Sequence, residues 1–452
     1  MQVRISPTFR LNTGWLSTGS TGTRHFGDDN HLILGNSFQT KRTFPRCLEG
    51  IKAMSIIRAS VPRPEIDKER LQRYRLERIQ QQLRDRDVAF CVLVNPVSLR
   101  YAIECREYQG FQGHIPSMYA FVPAQGPVVL HGATQRHYLM VDDYRAQERL
   151  NVFEGGLDLT DHARLFADSL NAFIDEIGLA GENRRVAIEM LNPSVTQAVL
   201  QVGLEAVDAE PIIEKAKSIK SPEEIACMRH SIAVAEFGIA HMQELLEPGI
   251  RETELWSVMH QVNMAHDGDW FDGRMLCSGP RTNPWLQEAS DRVIEAGDFV
   301  AFDTDMIGPF GYCADISRTW LCGPAEPSEE QRRVYSQAHQ EVMYNIDLVK
   351  PGMTFLEFTE KAFRQPEEFV GRRYPCPAHG IGMSDEYPKL HYPQDVARGI
   401  YDGVIEENMT LCMESYCGSE RGGPGVKLEQ MVLVTADGCE LLTNYPFEKA
   451  LL

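Results

Sequence analysis

Residues 297–321 read GDFVAFDTDMIGPFGYCADISRTWL, an apolar run followed by three acidic residues. Asp303 and Asp305 end the apolar run, and their spacing predicts that both carboxylates lie on the same face of a strand. The Gly-Pro-Phe-Gly segment after them is typical of a hairpin turn, and Asp315 lies on the predicted returning strand. Because three converging acids require a cation, the stretch predicts a metal-binding hairpin.

Three residues further along the chain are candidates to complete this site. His379 in AHGIG supplies a nitrogen donor, and the two glycines that follow it allow the backbone to approach an ion or a substrate closely. Glu414 in LCMES and Glu429 in VKLEQMVLV lie in otherwise apolar predicted strands, where an unpaired carboxylate is costly. Unrelated surface acids and a core histidine would explain each residue alone, but not the ordered set.

The candidate donors are five carboxylates and one imidazole. This hard ligand set suits two divalent ions such as Mn, Fe, Co or Zn, and the sequence does not distinguish between these metals. The predicted metal ligands are Asp303, Asp305, Asp315, His379, Glu414 and Glu429.

The 452 residues are enough for two or three domains, at roughly 150 residues each. Residues 61–214 alternate predicted helices with short apolar strands, which indicates a smaller α/β domain. Ser221, Pro222 and Glu224 form a capping-box pattern that opens a long helix. We therefore expect an α/β (α+β) chain with an N-terminal extension over 1–60, this domain over 61–214 and a catalytic domain over 215–452.

Composition excludes several classes of partner. The 64 acidic and 45 basic residues give a net charge of -19, so no nucleic-acid partner is expected. No apolar stretch approaches the roughly 20 residues of a membrane helix, so no membrane partner is expected either. The 11 cysteines form no CxxC pairs, which argues against a zinc ribbon or a disulfide framework and favours the cytoplasm.

Residues 1–27 contain arginine, serine and threonine but no acid, as organelle transit peptides do. An organellar location is therefore the lesser alternative to a cytoplasmic one. A disordered tail or one that clasps a second subunit would have the same composition.

The ordered acids and histidine resemble the ligands of the pita-bread metalloenzyme superfamily, which includes methionine aminopeptidases, prolidases, aminopeptidases P and creatinases. The resemblance covers roughly residues 215–451, and residues 214–236, EKAKSIKSPEEIACMRHSIAVAE, are similar to the entry helix of its creatinase and prolidase branch. Members of that branch carry a smaller N-terminal α/β domain, which matches the predicted organisation. The resemblance implies a C-terminal pita-bread domain, a dinuclear metal centre bridged by Asp315 and Glu429, and a homodimer.

Two features depart from the peptidases of this superfamily. Both Asp303 and Asp305 precede Asp315, by twelve and ten residues, so an additional acid enters the site. The peptidases have a second histidine after the HGIG motif, whereas this chain reads MSDEYP and offers Asp385 or Glu386. A carboxylate beside a metal centre can act as general base toward a carbon acid, which favours elimination over hydrolysis. The alternative for Asp385 is a loop acid or a helix cap.

These departures, together with CSGPRTNPWLQE at 277–288 and the terminal TNYPF, closely resemble the metal-dependent dimethylsulfoniopropionate lyases of the superfamily. The resemblance implies that Asp385 abstracts the proton α to the substrate carboxylate, which gives acrylate and dimethyl sulfide. Tyr374, five residues before His379, is a candidate donor, acid or base, with ordinary packing as its alternative.

A sulfonium cation has no hydrogen-bond donor, so its pocket is expected to be aromatic. The candidates are Trp270, Phe271, Trp285 and Tyr374, and core packing is the alternative for each. The N-terminal segment ECREYQGFQGHIPSMY resembles the lyases only loosely. Tyr108, Phe111 and His114 in this segment are candidates for a related pocket that reaches across a dimer.

Two other functions remain open from the sequence. The first is a peptidase that cleaves Xaa-Pro bonds, against which the missing second histidine speaks. The second is a binding protein, since some pita-bread relatives have lost their ligands, whereas the six ligands here are intact. A small carboxylate is the expected substrate of the lyase.

Overall fold

The structure is a computed structural model that describes residues 60–150, 153, 155–179, 183–190 and 192–452, apart from the side chain of Arg398. The predicted extension up to residue 59, with its transit-like segment, lies outside the described residues. No helix within the described ranges combines the length and the hydropathy that crossing a membrane requires.

The N-terminal half is built on a six-stranded mixed sheet in the order β4-β3-β2-β1-β5-β6. The central strand β1 is antiparallel to β2 and parallel to β5, and its four residues are all buried. The elements are α1 Lys68–Asp85, β1 Phe90–Leu93, α2 Pro96–Ile103, α3 Gln109–Gln112, β2 Tyr119–Pro123, β3 Val129–His131, β4 Asp143–Arg145, α4 Leu159–Glu176, β5 Arg185–Ile188, α5 Pro193–Gln201, β6 Glu205–Asp208 and α6 Glu210–Lys217.

The C-terminal half contains two three-stranded sheets, β11-β10-β7 and β12-β9-β8, and a five-stranded sheet, β14-β13-β15-β16-β17. The elements are α7 Pro222–Leu245, α8 Glu252–Ala265, β7 Trp270–Phe271, β8 Leu276–Ser278, β9 Phe299–Phe302, β10 Met306–Ile307, β11 Cys313–Ala314, β12 Arg318–Leu321, α9 Glu329–Leu348, α10 Phe355–Lys361, α11 Glu367–Val370, β13 Ala378–Ile381, β14 Asp385–Leu390, β15 Thr410–Cys417, β16 Val426–Thr435 and β17 Gly438–Leu441. A smaller α/β unit thus precedes a larger one, as predicted.

The long helix α7 begins where the capping-box pattern predicts. The Ser221 hydroxyl accepts a hydrogen bond from the Glu224 amide, and the Glu224 carboxylate accepts one from the Ser221 amide. Together with Pro222 at the first helical position, these bonds satisfy amides that have no partner within the helix. The entry helix of the C-terminal half is therefore fixed by local sequence.

The strand that carries the first two aspartates is interrupted. Asp303, Thr304 and Asp305 lie between β9 and β10, and Asp305 has a left-handed backbone with φ of 33°. The prediction that strand alternation aligns Asp303 with Asp305 is therefore wrong, because a bend in the chain directs these side chains. The predicted hairpin is confirmed, since β9 pairs antiparallel with β12 and β10 with β11.

A single apolar core joins the two halves of the described chain. Leu71 of α1 and Ile103 of α2 belong to the same buried cluster as Ile232 of α7 and Met259 of α8. The predicted domain boundary between residues 214 and 215 falls inside α6. The two halves are therefore in close apolar contact around this boundary.

Candidate metal centre

The six predicted ligands lie close together in the C-terminal half. Asp303 and Asp305 follow β9, Asp315 follows β11, and His379 lies in β13. Glu414 and Glu429 face each other as register partners on β15 and β16. Five of the six residues are buried, and Asp305 is half-buried.

The ligand atoms lie at distances that a shared cation would span. His379 Nε2 is 3.5 Å from Glu414 Oε1 and 3.7 Å from both Asp315 Oδ2 and Glu429 Oε1. Ligand atoms of Asp303, Asp305 and Asp315 lie within 4.8 Å of one another, and a second such group contains Asp315, His379, Cys412 and Glu429. Asp315 belongs to both groups.

The burial and the crowding of the carboxylates favour binding of a positive charge. Burial and neighbouring acids raise the pKa of Asp305 and of Asp315 well above the usual range, and burial raises the pKa of Glu429 to about 8. Asp315 Oδ1 and Glu429 Oε1 are buried without a hydrogen-bond partner among the described residues. Unpaired buried carboxylate oxygens are costly, so these residues fit divalent cations.

The histidine is oriented toward the carboxylates. Its Nδ1 lies 2.9 Å from the Gly380 carbonyl oxygen, so Nε2 faces the acids. Burial opposes protonation of His379, but Glu414, Asp385 and Glu429 outweigh this effect and raise its pKa to about 9. The imidazole therefore lies in a strongly negative environment, as a metal ligand would.

Lys427 is the residue of this centre that the sequence analysis missed. Its Nζ, fully buried, lies 2.9 Å from Asp303 Oδ2, 2.9 Å from Glu414 Oε2 and 3.2 Å from Glu429 Oε2. Burial alone would raise the pKa of Asp303, but Lys427 lowers it to about 2. Its position two residues before Glu429, on the same face of β16, was the available signal.

Two thiols and a hydroxyl also contact the ligands. Ser317 Oγ lies 2.7 Å from both Asp303 Oδ1 and Glu429 Oε2. Cys376 Sγ lies 3.4 Å from Glu414 Oε1, and Cys412 Sγ lies 3.7 Å from Asp315 Oδ2. In the sequence, the scattered cysteines argue only against a zinc ribbon and a disulfide framework. Their spacing gives no signal for contacts between such distant segments.

Asp385 and Tyr374, the predicted catalytic residues, each lie near a different residue of the centre. Asp385 Oδ1 is 3.8 Å from His379 Nδ1, and its side chain is 59% exposed. The Tyr374 ring lies 4.4 Å from Lys427 Nζ. Glu414 and burial raise the pKa of Tyr374 far above its usual range, so its hydroxyl keeps its proton at neutral pH. Of its predicted roles, this environment favours donor over base.

The predicted aromatic residues have different surroundings. Trp285 is buried, stacks on Tyr416 at 5.9 Å, and belongs to a small apolar cluster that Tyr374 also contacts. Phe271 packs against Trp256 with ring centroids 5.5 Å apart. Trp270 Nε1 donates a 2.7 Å hydrogen bond to Asp272.

The three candidates from the N-terminal half lie on or beside the short helix α3. The side chains of Tyr108 and Phe111 are exposed, and the Phe111 ring lies 5.8 Å from that of His114. Their part in a pocket across a dimer stays a prediction.

Comparison with known proteins places this site in a family. The profile of Metallopeptidase family M24 matches residues 226–436. Dimethylsulfoniopropionate lyase DddP of Roseovarius nubinhibens is 34% identical over 396 residues, which cover 85% of this chain and 88% of the relative. The chain belongs to the M24 family. The corresponding lyase of Roseobacter denitrificans is 32% identical over 394 residues, 84% of this chain and 87% of the relative.

Solved structures of M24-type peptidases share the fold. The Xaa-Pro dipeptidase from Bacillus anthracis has a TM-score of 0.65 at 21% identity and covers 83% of this chain and 99% of its own. The prolidase from Pyrococcus horikoshii has a TM-score of 0.63 at 19% identity, with the same two coverages. The predicted pita-bread superfamily and the predicted fold class are therefore confirmed.

Proposed function

We propose that this M24 protein is a metal-dependent lyase that cleaves dimethylsulfoniopropionate by β-elimination to acrylate and dimethyl sulfide. The observation that carries the proposal is the placement of Asp385, an exposed carboxylate 3.8 Å from His379. The resemblance to the superfamily implies that its peptidases have a histidine in this place. The similarity over most of the chain to two proteins named as lyases of this substrate supports it.

The proposal includes two divalent ions held by Asp303, Asp305, Asp315, His379, Glu414 and Glu429. Bound there, they would supply Lewis-acid stabilisation of the negative charge that develops at the substrate carboxylate. The overlap of the two ligand groups at Asp315 supports a pair of ions. Lys427 and Ser317 would hold Asp303 and Glu429 in place for them.

Asp385 then takes the proton from the carbon α to the carboxylate. The electrons of that C–H bond form the new C=C bond, and the C–S electron pair leaves with sulfur as neutral dimethyl sulfide. The abstracted proton rests on Asp385 until it passes to solvent, which the exposed side chain can reach. The step requires no water nucleophile, which distinguishes it from peptide hydrolysis.

The experiment incubates the metal-replete protein with dimethylsulfoniopropionate and measures the release of acrylate and dimethyl sulfide. A parallel assay uses Gly-Pro as a peptidase substrate. We expect both elimination products in equal amounts and no proline. Proline release without acrylate would instead assign the chain to the Xaa-Pro peptidases.

The peptidase remains the second candidate because the family match and the shared fold belong to it as well. A binding protein without catalysis is the third. Its test is the metal content of the purified protein, since a protein without bound metal and without either activity would favour it.

Replacing Tyr374 by phenylalanine is expected to lower kcat/KM about 10- to 100-fold, the usual loss for one hydrogen bond to a charged group. The Tyr374 hydroxyl stays protonated beside Glu414 and can donate to the substrate. Steady-state kinetics of acrylate release measure the effect. Tyr416→Phe is the matched control, because Tyr416 belongs to the same apolar cluster and its hydroxyl donates to the Thr282 carbonyl oxygen. Equal losses in both variants would mean that Tyr374 acts only through packing.

A further inference from the structure

Buried charged residues contact the turn that carries Asp385, on the face opposite to the Asp385 side chain. Asp385 and Glu386 begin β14, and their side chains differ sharply in exposure, at 59% for Asp385 and 1% for Glu386. Neighbouring residues of a strand point to opposite faces. Glu386 therefore points into the protein directly behind Asp385.

Two lysines from one segment bind the Glu386 carboxylate. Lys220 Nζ lies 3.0 Å from Glu386 Oε2, and Lys217 Nζ lies 3.5 Å from Glu386 Oε1. The side chains of both lysines are almost fully buried, at 2% and 4% exposure. Burial alone would raise the pKa of Glu386, but the two lysines lower it, so the carboxylate remains ionised.

The Glu386 carboxylate is also the centre of the turn between β13 and β14. The Met383 amide donates a 2.8 Å hydrogen bond to Glu386 Oε1. A Cβ on Gly382 would overlap the same carboxylate, and one on Gly380 would overlap the Tyr387 carbonyl. The glycines around His379 thus allow close approach to β14, where the sequence analysis expected approach to an ion or substrate.

The end of the N-terminal half holds the next residue of β14 as well. The Tyr387 amide donates a 2.8 Å hydrogen bond to Glu214 Oε2, and Glu214 Oε1 lies 2.7 Å from Lys217 Nζ. Glu214 and Lys217 both lie on α6, and Lys220 follows three residues later. One short segment therefore makes direct contacts to the two residues that follow Asp385.

We propose that the buried clamp formed by Lys217, Lys220 and Glu386 is a positioning device that holds Asp385 in place for proton abstraction. This inference rests on the proposed lyase function. Buried ion pairs contribute little net stability compared with apolar residues of similar size, because desolvation offsets their attraction. Their contribution here is a fixed geometry for the turn, and proton transfer is sensitive to misplacement of about 1 Å.

The test compares Lys220→Met with Lys220→Arg and with the control Lys215→Met in the metal-loaded enzyme. Lys215 lies in the same segment, but it bonds the Tyr387 hydroxyl, whereas the Glu386 carboxylate pairs with Lys217 and Lys220. The measurements are metal content, kcat and KM for dimethylsulfoniopropionate, the kinetic isotope effect with substrate deuterated at the α carbon, and hydrogen exchange of residues 382–387.

For Lys220→Met we expect unchanged metal content, a kcat lower by about 10- to 100-fold, and a KM within about twofold of the wild type. The isotope effect should rise because C–H cleavage becomes more rate-limiting, and residues 382–387 should exchange faster while Thr410–Cys417 do not. Lys220→Arg, which keeps the charge, should recover most of kcat. Lys215→Met should behave as the wild type.

If Lys220→Met shows the same kinetics and the same hydrogen exchange as Lys215→Met, the clamp proposal is wrong. If Lys220→Met does not fold, Lys217→Met replaces it under the same criteria, since it removes the longer contact to Glu386 together with the ion pair to Glu214. If the wild type releases no acrylate, the lyase proposal fails by itself. Hydrogen exchange of residues 382–387 then decides separately whether the clamp holds the turn.

Discussion

Replacing Asp385 by asparagine is expected to lower kcat for acrylate formation by about 10²- to 10⁴-fold, the range for loss of a general base. The amide keeps the size of the side chain but cannot accept the proton. Because Asp385 lies outside the ligand set, metal content should not change. Acrylate release by chromatography and metal analysis of the same preparation measure both quantities.

A matched control for this variant is Asp437→Asn, which removes the same charge from an exposed position on the loop before β17. It should retain full activity. A fully active Asp385→Asn enzyme would exclude Asp385 as the base. Loss of metal from Asp385→Asn would show instead that the carboxylate supports His379, whose Nδ1 is 3.8 Å away.

Lys427→Met should destabilise the metal-free protein by about 3–5 kcal/mol, the usual result of removing one partner from a buried ion pair. Asp303, Glu414 and Glu429 lose their common ammonium partner in this variant. Added metal should restore part of the stability, since cations bind the folded state. Urea unfolding with and without chelator gives both values.

The control for this experiment is Lys427→Arg, which keeps the charge on a longer side chain. It should lose less stability than Lys427→Met in the metal-free state. Equal stability of Lys427→Met and the wild type after chelation would mean that the carboxylates are protonated there and do not require the ammonium group.

Much of the fold and of the ligand set could be predicted because the signals are local. Ser221 and Glu224 predict the start of a helix from a four-residue pattern, and the observed hydrogen bonds are those of the capping box. Glu414 and Glu429 are carboxylates in apolar strands, which only a strong partner can compensate. Their meeting depends on antiparallel pairing of β15 with β16, two segments that were predicted as strands without a prediction of their pairing.

The features that could not be predicted depend on contacts between distant segments. The partners of Lys427 include Asp303 on another hairpin, so its spacing to Glu429, the local signal, does not by itself predict this contact. The bend at Asp305 is set by its left-handed backbone, although alternation predicted a continuous strand. Glu386 was considered only as a substitute for Asp385, because its buried partners Lys217 and Lys220 lie across the fold.

Helix α6 also bears on how such a chain can evolve. It ends the N-terminal half in sequence, yet Glu214 and Lys217 bind the strand that begins with Asp385. An ancestor that exchanged its N-terminal half for an unrelated domain at this boundary would have lost these contacts to the strand of Asp385, the proposed general base. The two halves are therefore expected to be inherited together. We expect new substrate specificities to arise by substitutions within the two halves and not by exchange of one half for an unrelated domain.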